Sequence, residues 1–182
     1  MPLPKKIVVT GPESTGKSTL CEQLAAKYNT QWVPEYARNY LLALGRPYTY
    51  DDLLIIARGQ LEQEDRIANS FINSCIFIDT DMYVMKVWCE FVFGKCHSFI
   101  LEQIVKRQYD AYLLCNTDLP WVADELREYP DLESRERLFH MYKDLMINQS
   151  TPWTAITGGY DERLNNAISF ISVKCSICPP AY

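Results

Sequence analysis

Histidine, glycine and long apolar runs are all scarce in this sequence, and each shortage excludes a class of protein. The 182 residues include two histidines and seven glycines. No apolar run approaches the ~20 residues of a membrane-spanning helix, and the N-terminus lacks the apolar core and cleavage site of a signal peptide. With 48% hydrophobic residues and ten prolines, the composition is neither disordered nor collagenous. We therefore expect a cytoplasmic protein with no membrane partner.

Basic charge is scarce as well. The chain has 18 Lys and Arg residues against 23 Asp and Glu residues, which gives a net charge of −5. General nucleic-acid-binding proteins carry a basic excess, so we expect no nucleic-acid partner. A chain of this length usually keeps one core, which predicts a single domain over residues 1–182. The sequence does not set the oligomeric state and leaves a homo-oligomer open.

The seven cysteines are interpreted as reduced core residues, because their number is odd and most of them stand in apolar stretches. Cys175 and Cys178 have the spacing of half a zinc site or of a redox pair. There is no second pair to complete a site, and the two histidines are isolated from each other. We expect no metal at this pair.

Short apolar strands alternate with helical patterns along the chain. The predicted strands are 6–10, 31–34, 75–78, 111–115 and 153–157. The predicted helices are 18–28, 36–44, 51–70, 83–93, 99–107, 133–146 and about 161–173. Because the strands show no alternation of polar and apolar residues, the pattern indicates a parallel sheet that is covered on both faces. The predicted fold class is α/β, a three-layer αβα sandwich with a five-stranded parallel sheet.

The segment that begins at Asp118 is charged and contains two prolines, so it resists packing into a core. It is either a plain surface excursion or, from its place after the fourth strand, a lid. We expect a helical lid over about residues 118–148.

A phosphate-binding loop follows the first strand. Residues 11–18 fit the pattern G-x-x-x-x-G-K-S/T in full, between a strand and a helix as the pattern requires. The backbone amides of such a loop and the helix N-terminus bind phosphate, Lys17 faces the transferred phosphate, and the Ser18 hydroxyl is a ligand for Mg²⁺. The expected cofactors are ATP and Mg²⁺. The predicted nucleotide-binding residues of the loop are Gly11, Pro12, Glu13, Ser14, Thr15, Gly16, Lys17, Ser18 and Thr19.

Acidic residues follow two other predicted strands. Asp79 and Asp81 end the third strand, where carboxylates hold a metal or orient a substrate, and Asp79 is the predicted metal ligand. A turn or cap role is the alternative for such residues. Glu35 lies at the end of the second strand, on the same carboxyl edge of the sheet, where ligands bind in open α/β sheets. Arg38, one helical turn further, is expected to reach a phosphate or to pair with Glu35.

Some later residues are also site candidates. Arg127 and Arg135 in the predicted lid are candidates to stabilise the charge on the transferred phosphate, although most such arginines are simply solvated. Gly158 and Gly159 are interpreted as an adenine contact or as a simple turn. Trp121 and Tyr36 suit stacking on a heteroaromatic ring, with packing in the core as the alternative.

Several motifs come in an order that resembles the ribosylnicotinamide kinase domain of NadR-type proteins, within the P-loop NTPases. The resemblance spans roughly residues 5–170. The motifs are GPESTGKST (11–19), VPEYAR (33–38), ARGQ (57–60) followed by Glu64 and Asp65, FIDTD (77–81), LPWVAD (119–124) and RERLF (135–139).

The resemblance implies a P-loop kinase-like fold and transfer of phosphate from ATP to nicotinamide riboside, giving nicotinamide mononucleotide for NAD synthesis. It places the loop at the ATP phosphates, Glu35, Asp79 and Asp81 near the metal and the ribose hydroxyls, and Trp121 near the nicotinamide ring. Members of this family usually carry an adenylyltransferase domain before the kinase domain. Here the first strand begins about five residues into the chain and no HxGH-like motif occurs, so we expect a stand-alone kinase domain without adenylyl transfer.

The expected reaction is in-line attack of a ribose primary hydroxyl on the γ-phosphate of ATP. Glu35 is the first candidate for the base, with Asp79 second, because histidine is too scarce for that role. Two rivals remain open. One is another nucleoside or nucleotide kinase, and the other is a nucleotide-sensing P-loop ATPase module.

Overall fold

Five parallel strands form the centre of the computed structural model, which describes residues 4–70 and 74–180. Each begins and ends within one residue of its predicted bounds, because an uninterrupted apolar run favours a strand that is buried on both faces. The strands are β1 (Lys5–Thr10), β2 (Trp32–Val33), β3 (Cys75–Asp79), β4 (Ala111–Cys115) and β5 (Trp153–Ile156).

The strand order is β2-β3-β1-β4-β5, with β1 in the middle. Val8 of β1 pairs with Ile78 on one side and Tyr112 on the other. The connection from β1 to β2 therefore runs toward one edge of the sheet, and the connection from β3 to β4 runs toward the other edge. A crevice opens at the carboxyl ends of the strands where the direction changes, which is the usual ligand position in open α/β sheets.

Helices cover both faces of this sheet. Ile7, Val9 and Phe77 face the layer formed by α1 and α7, whereas Val8 and Ile78 face the layer that includes α4 and α6. Successive strand residues point to opposite faces, so the predicted αβα sandwich is confirmed. The helices are α1 (Lys17–Lys27), α2 (Tyr36–Leu44), α3 (Tyr50–Ser70), α4 (Met82–Phe93), α5 (Ser98–Lys106), α6 (Leu132–Ile147) and α7 (Tyr160–Cys175).

The segment predicted as a helical lid has two different parts. Leu138, Tyr142 and Met146 of α6 are buried in the cluster on the sheet, so this helix belongs to the sandwich. Residues 118–131, here called the strap, contain turns and extended chain but neither helix nor strand. The strap passes over the carboxyl edge of the sheet, and it is the part that fits a covering role.

The cysteines lie mostly in the core, as predicted. Five are buried, Cys96 is partly buried, and Cys178 is exposed. Cys175 packs in the cluster formed by α1 and α7, so the two members of the C-x-x-C pair have different surroundings. Within residues 4–70 and 74–180, no helix combines the length and the apolar character that crossing a membrane requires.

Candidate active site

The loop between β1 and α1 is shaped to receive an anion. Gly11 has φ +135°, and a Cβ there would lie 2.6 Å from the carbonyl oxygen of Cys115, so no other residue fits. Thr15 Oγ1 and Lys17 Nζ both donate to the carbonyl oxygen of Pro12, at 2.8 and 2.7 Å. No side chain in the described part of the chain caps the N-terminus of α1. Its first amides are therefore left for an external acceptor.

Ser18 and Asp79 meet at the start of α1. The Ser18 hydroxyl donates to Asp79 Oδ2 at 2.5 Å. Asp79 ends β3 and is fully buried, and its Oδ1 atom finds no hydrogen-bond partner among the described residues. Asp79 thus offers a buried carboxylate oxygen that accepts no hydrogen bond, next to the Ser18 hydroxyl. Such hard oxygen atoms are the ligands that Mg²⁺ prefers. The two predicted metal ligands therefore fit the ion.

Burial raises the pKa of the Asp79 carboxyl above its ordinary value, and the negative charge of Glu35 raises it further. Lys17 and Ser18 act in the opposite direction. The ends of β2 and β3 thus place the carboxylates of Glu35 and Asp79 close enough to interact electrostatically with each other, and Asp79 with Lys17. A bound divalent cation would reverse the effect on Asp79 and favour its ionised form.

A cavity of about 360 Å³ extends from the loop to the inner surfaces of α2 and α4. Its far end is aromatic: Trp88 Nε1 donates to the Tyr48 hydroxyl at 3.1 Å, and that hydroxyl donates to Glu128 Oε2 at 2.8 Å. The rings of Tyr48 and Trp88 meet edge to face with centroids 5.1 Å apart. The cavity thus joins a phosphate-binding end to an aromatic end that carries a carboxylate.

The strap bridges the two ends of this cavity. On the loop side, Glu13 accepts hydrogen bonds from the amides of Glu128 and Tyr129, at 3.0 and 2.6 Å. On the other side, Arg38 pairs with Asp124 at 2.9 Å. Arg38 lines the cavity and pairs with the strap rather than with Glu35, and its contact with a phosphate stays a prediction.

The arginines of the predicted lid separate into different roles. Arg127 lines the cavity and donates to the carbonyl oxygen of Val122, so it is placed to meet a ligand. Arg135 is buried and donates to the carbonyl oxygens of Thr117 and Leu119, at 3.4 and 3.2 Å. Arg135 thus anchors the beginning of the strap, and its catalytic role stays a prediction.

Both carboxylate oxygens of Asp81 are engaged within the fold. Its Oδ1 accepts from the amides of Tyr83 and Val84 at 3.1 and 3.3 Å, and its Oδ2 accepts from the Tyr112 hydroxyl at 3.0 Å. The side chain is buried, and the residues that line the cavity in the described chain do not include it. Asp81 is the N-cap of α4, which is the alternative that the sequence left open.

The two aromatic residues predicted to stack on a ligand lie outside the cavity wall formed by the described residues. The ring of Tyr36 lies against Gly59 of α3, where an added Cβ would be 2.3 Å from it. Trp121 lies beside the loop, with its Nε1 atom 3.5 Å from Glu13 Oε1. The aromatic residues that line the cavity are instead Trp32, Tyr48, Trp88, Phe91, Tyr129 and Tyr142.

Gly158 and Gly159 form the turn before α7. The Gly158 amide donates to Asp118 Oδ2 at 2.6 Å, and the Gly159 amide donates to Glu162 Oε2 at 2.8 Å. Both amides are thus used inside the chain, and neither glycine belongs to the described cavity wall. The arrangement matches a structural turn, and the adenine contact stays a prediction.

Sequence reasoning missed two residues that hold the site together. Gln60, buried in α3, accepts from the Tyr36 amide at 2.8 Å and donates to the Asp79 carbonyl at 3.2 Å, so it ties the end of β2 to the end of β3. Arg163, buried in α7, donates to the carbonyl oxygens of Thr15, Asn116 and Gly158 and to the Asp118 carboxylate. For Gln60 the only signal was its place in the ARGQ run, and for Arg163 there was none.

Comparisons with known proteins agree with this geometry. A family described as AAA domain matches residues 6–163. The trifunctional NAD biosynthesis/regulator protein NadR of Escherichia coli (strain K12) is 28% identical over 172 residues, which cover 92% of this chain and 42% of that protein. The chain thus spans less than half the length of this curated relative.

Solved structures of NadR proteins and of a thymidylate kinase are similar in fold to this chain. NadR protein in complex with NR has a TM-score of 0.78 and 25% identity, over 98% of this chain and 54% of that chain. NadR protein in complex with NAD and AMP-PNP has a TM-score of 0.74 and 25% identity, over 99% of this chain and 52% of that chain. Thymidylate kinase from Ehrlichia chaffeensis shares the fold, with a TM-score of 0.66 and 16% identity over 94% of this chain and 100% of that chain. The predicted resemblance and the P-loop kinase-like fold are both confirmed.

Proposed function

The chain belongs to the AAA domain family, and on this premise we propose that it is a P-loop kinase that transfers the γ-phosphate of ATP to nicotinamide riboside. The product would be nicotinamide mononucleotide. One observation carries the proposal. A single cavity joins the phosphate-binding loop to an aromatic end with a carboxylate, and Glu35 and Asp79 are among its lining residues.

The donor end is suited to ATP. The uncapped N-terminus of α1 and the loop amides attract a polyphosphate, and Lys17 adds a positive charge within the cavity. A related NadR structure contains AMP-PNP, which is an ATP analogue. Ser18 and Asp79 would hold Mg²⁺, and the ion would supply charge neutralisation between the phosphates.

The acceptor end is suited to a flat cation. Nicotinamide riboside carries a positive charge on its ring, and a related NadR structure contains NR. The faces of Trp88 and Tyr48 attract such a ring, and the Glu128 carboxylate is held beside them by the Tyr48 hydroxyl. A neutral pyrimidine would gain less from this carboxylate than a pyridinium ring does.

The charged residues that line the cavity are assigned different roles in the reaction. Asp79 is engaged by Ser18 and is assigned to the metal side, so Glu35 is left to accept the proton of the attacking hydroxyl. Lys17 and Arg127 line the cavity and are placed to stabilise charge on the transferred phosphate. Phosphoryl transfer needs mainly such positioning and electrostatic stabilisation.

The proposal is tested by measuring ADP release and phosphorylated product with nicotinamide riboside, uridine and thymidine as acceptors. We expect turnover with nicotinamide riboside and its loss in Lys17→Ala. In Glu128→Gln we expect the KM for nicotinamide riboside to rise up to about five-fold, because an exposed ion pair contributes up to about 1 kcal/mol, while Glu125→Gln on the same strap leaves it unchanged. Equal turnover of uridine would contradict the assignment. Slow ADP release that no acceptor accelerates would favour the ATPase module instead.

A further inference from the structure

We propose that Glu13 is a positioning residue that latches the strap over the cavity. Sequence reasoning assigned Glu13 to the phosphates only because it stands within the loop. In the structure its carboxylate holds three N–H groups of the strap. The activity part of the proposal rests on the proposed function, whereas the latch itself does not.

The contacts of Glu13 come from both ends of the strap. Its Oε2 accepts from the Glu128 amide at 3.0 Å, and its Oε1 accepts from the Tyr129 amide at 2.6 Å and from Trp121 Nε1 at 3.5 Å. The next loop residue adds a fourth contact, since Ser14 Oγ accepts from the Val122 amide at 3.0 Å. A strap with no helix or strand of its own is therefore fixed to the loop at four points, in addition to its contacts with the rest of the fold.

The latch requires a carboxylate. Both oxygens of Glu13 accept, and hydrogen bonds to an ionised acceptor are stronger than neutral ones. Glutamine has nearly the same shape but only one acceptor oxygen, and its NH₂ group would face a strap N–H. Glu13→Gln therefore leaves at least one strap amide without its acceptor and weakens the latch, while it keeps the size of the side chain.

The latch positions residues at both ends of the cavity. Glu128 is bound twice, because its amide donates to Glu13 and its carboxylate accepts from Tyr48. Arg127, the residue before it, lines the cavity. A shift of the loop is thus transmitted through one residue of the strap to the aromatic end.

The consequence is a link between nucleotide binding and exclusion of water. A strap held by Glu13 covers the phosphates and the acceptor together, which keeps water from the transferred phosphate. A loosened strap would let water compete with the acceptor hydroxyl, so that ATP loses its γ-phosphate to water and yields ADP and inorganic phosphate. The latch would then set the fraction of ATP used for transfer.

The first experiment measures amide hydrogen exchange of residues 121–129 in the full chain, with and without AMP-PNP. In Glu13→Gln we expect the exchange of at least one of the two amides, Glu128 or Tyr129, to accelerate about ten-fold, as the loss of one net hydrogen bond implies. Glu125→Gln removes the same charge from an exposed position of the strap and should leave exchange unchanged. Unchanged exchange in Glu13→Gln would overturn the latch.

The second experiment compares ADP released with nucleoside phosphorylated. We expect equal amounts in the wild type and an excess of ADP in Glu13→Gln, with the KM for ATP nearly unchanged. A purely structural defect would lower both products together, and a phosphate ligand would raise the KM for ATP, so either result would overturn the proposal. Glu13→Asp keeps the charge on a shorter arm and should restore part of the coupling. If nicotinamide riboside is not phosphorylated by any variant, the proposed function fails while the exchange result still decides the latch.

Discussion

Replacing Asp81 by asparagine should stabilise the protein above neutral pH without lowering its turnover. Asparagine is as good an N-cap as aspartate, so its oxygen can still accept from the amides of Tyr83 and Val84. The Tyr112 hydroxyl can rotate to meet the new NH₂ group, because a hydroxyl both donates and accepts. The change removes a buried charge and keeps the shape.

The magnitude follows from the surroundings of Asp81. Burial raises the pKa of this carboxyl from its ordinary value of 3.8 to about 7, which corresponds to about 4 kcal/mol. The unfolded chain releases the proton near pH 4, whereas the folded protein keeps it until about pH 7. The free energy of unfolding of the wild type therefore falls across this range, and Asp81→Asn lacks this contribution to the fall.

Urea unfolding of both proteins at pH 4, 6 and 8 tests this reasoning. The difference in unfolding free energy, variant minus wild type, should rise by up to about 4 kcal/mol from pH 4 to pH 8, and the contribution of Asp79 cancels because both proteins contain it. A difference that stays flat with pH would refute the raised pKa. A collapse of turnover would refute the capping role, and Asp81→Ala should lose about 1 kcal/mol for the missing cap.

Three further changes test other contacts of the site. Gly59→Ala should lower the melting temperature, because overpacking against Tyr36 costs about 1–3 kcal/mol and exceeds the helix propensity gained, about 1 kcal/mol; an unchanged melting curve would contradict this. Gln60→Leu leaves the partly buried Tyr36 amide without its acceptor at a cost of about 1 kcal/mol, and kcat should fall more than the KM for ATP changes. Ser18→Ala should raise the Mg²⁺ concentration for half-maximal activity about ten-fold, the effect of losing one hard ligand, and a magnesium titration checks it.

Most of the sheet could be predicted because its determinants are local. An apolar strand buried on both faces has a continuous hydrophobic run, and the loop at 11–18 carries its function in its own pattern. Lys17, Ser18, Glu35 and Asp79 meet because parallel strands bring their carboxyl ends to one edge. These four residues follow from strand order and position alone.

The side-chain placements that the sequence did not indicate occur where a single turn decides the direction of a side chain. Two residues apart on a strand, Asp79 and Asp81 would share a face, but Thr80 has φ 78° and ends the extended chain between them. Asp81 is thereby rotated to cap α4. Similarly, α2 begins at Tyr36, directly after Glu35, which sends the two side chains in different directions. Such turns depend on tertiary packing that a single sequence does not display.

The four hydrogen bonds of Arg163 make the phosphate-binding end of the cavity less tolerant of substitution than the opposite end. The partners of Arg163 on the phosphate side are three main-chain carbonyl oxygens and Asp118, and the arginine itself is buried, so salt screens these contacts little. The pair of Arg38 with Asp124 on the opposite rim is partly open to solvent and is easily exchanged. Substitutions at Arg38 and Asp124 could accordingly change which phosphate acceptor binds, while the contacts of Arg163 keep the phosphate-binding loop in place.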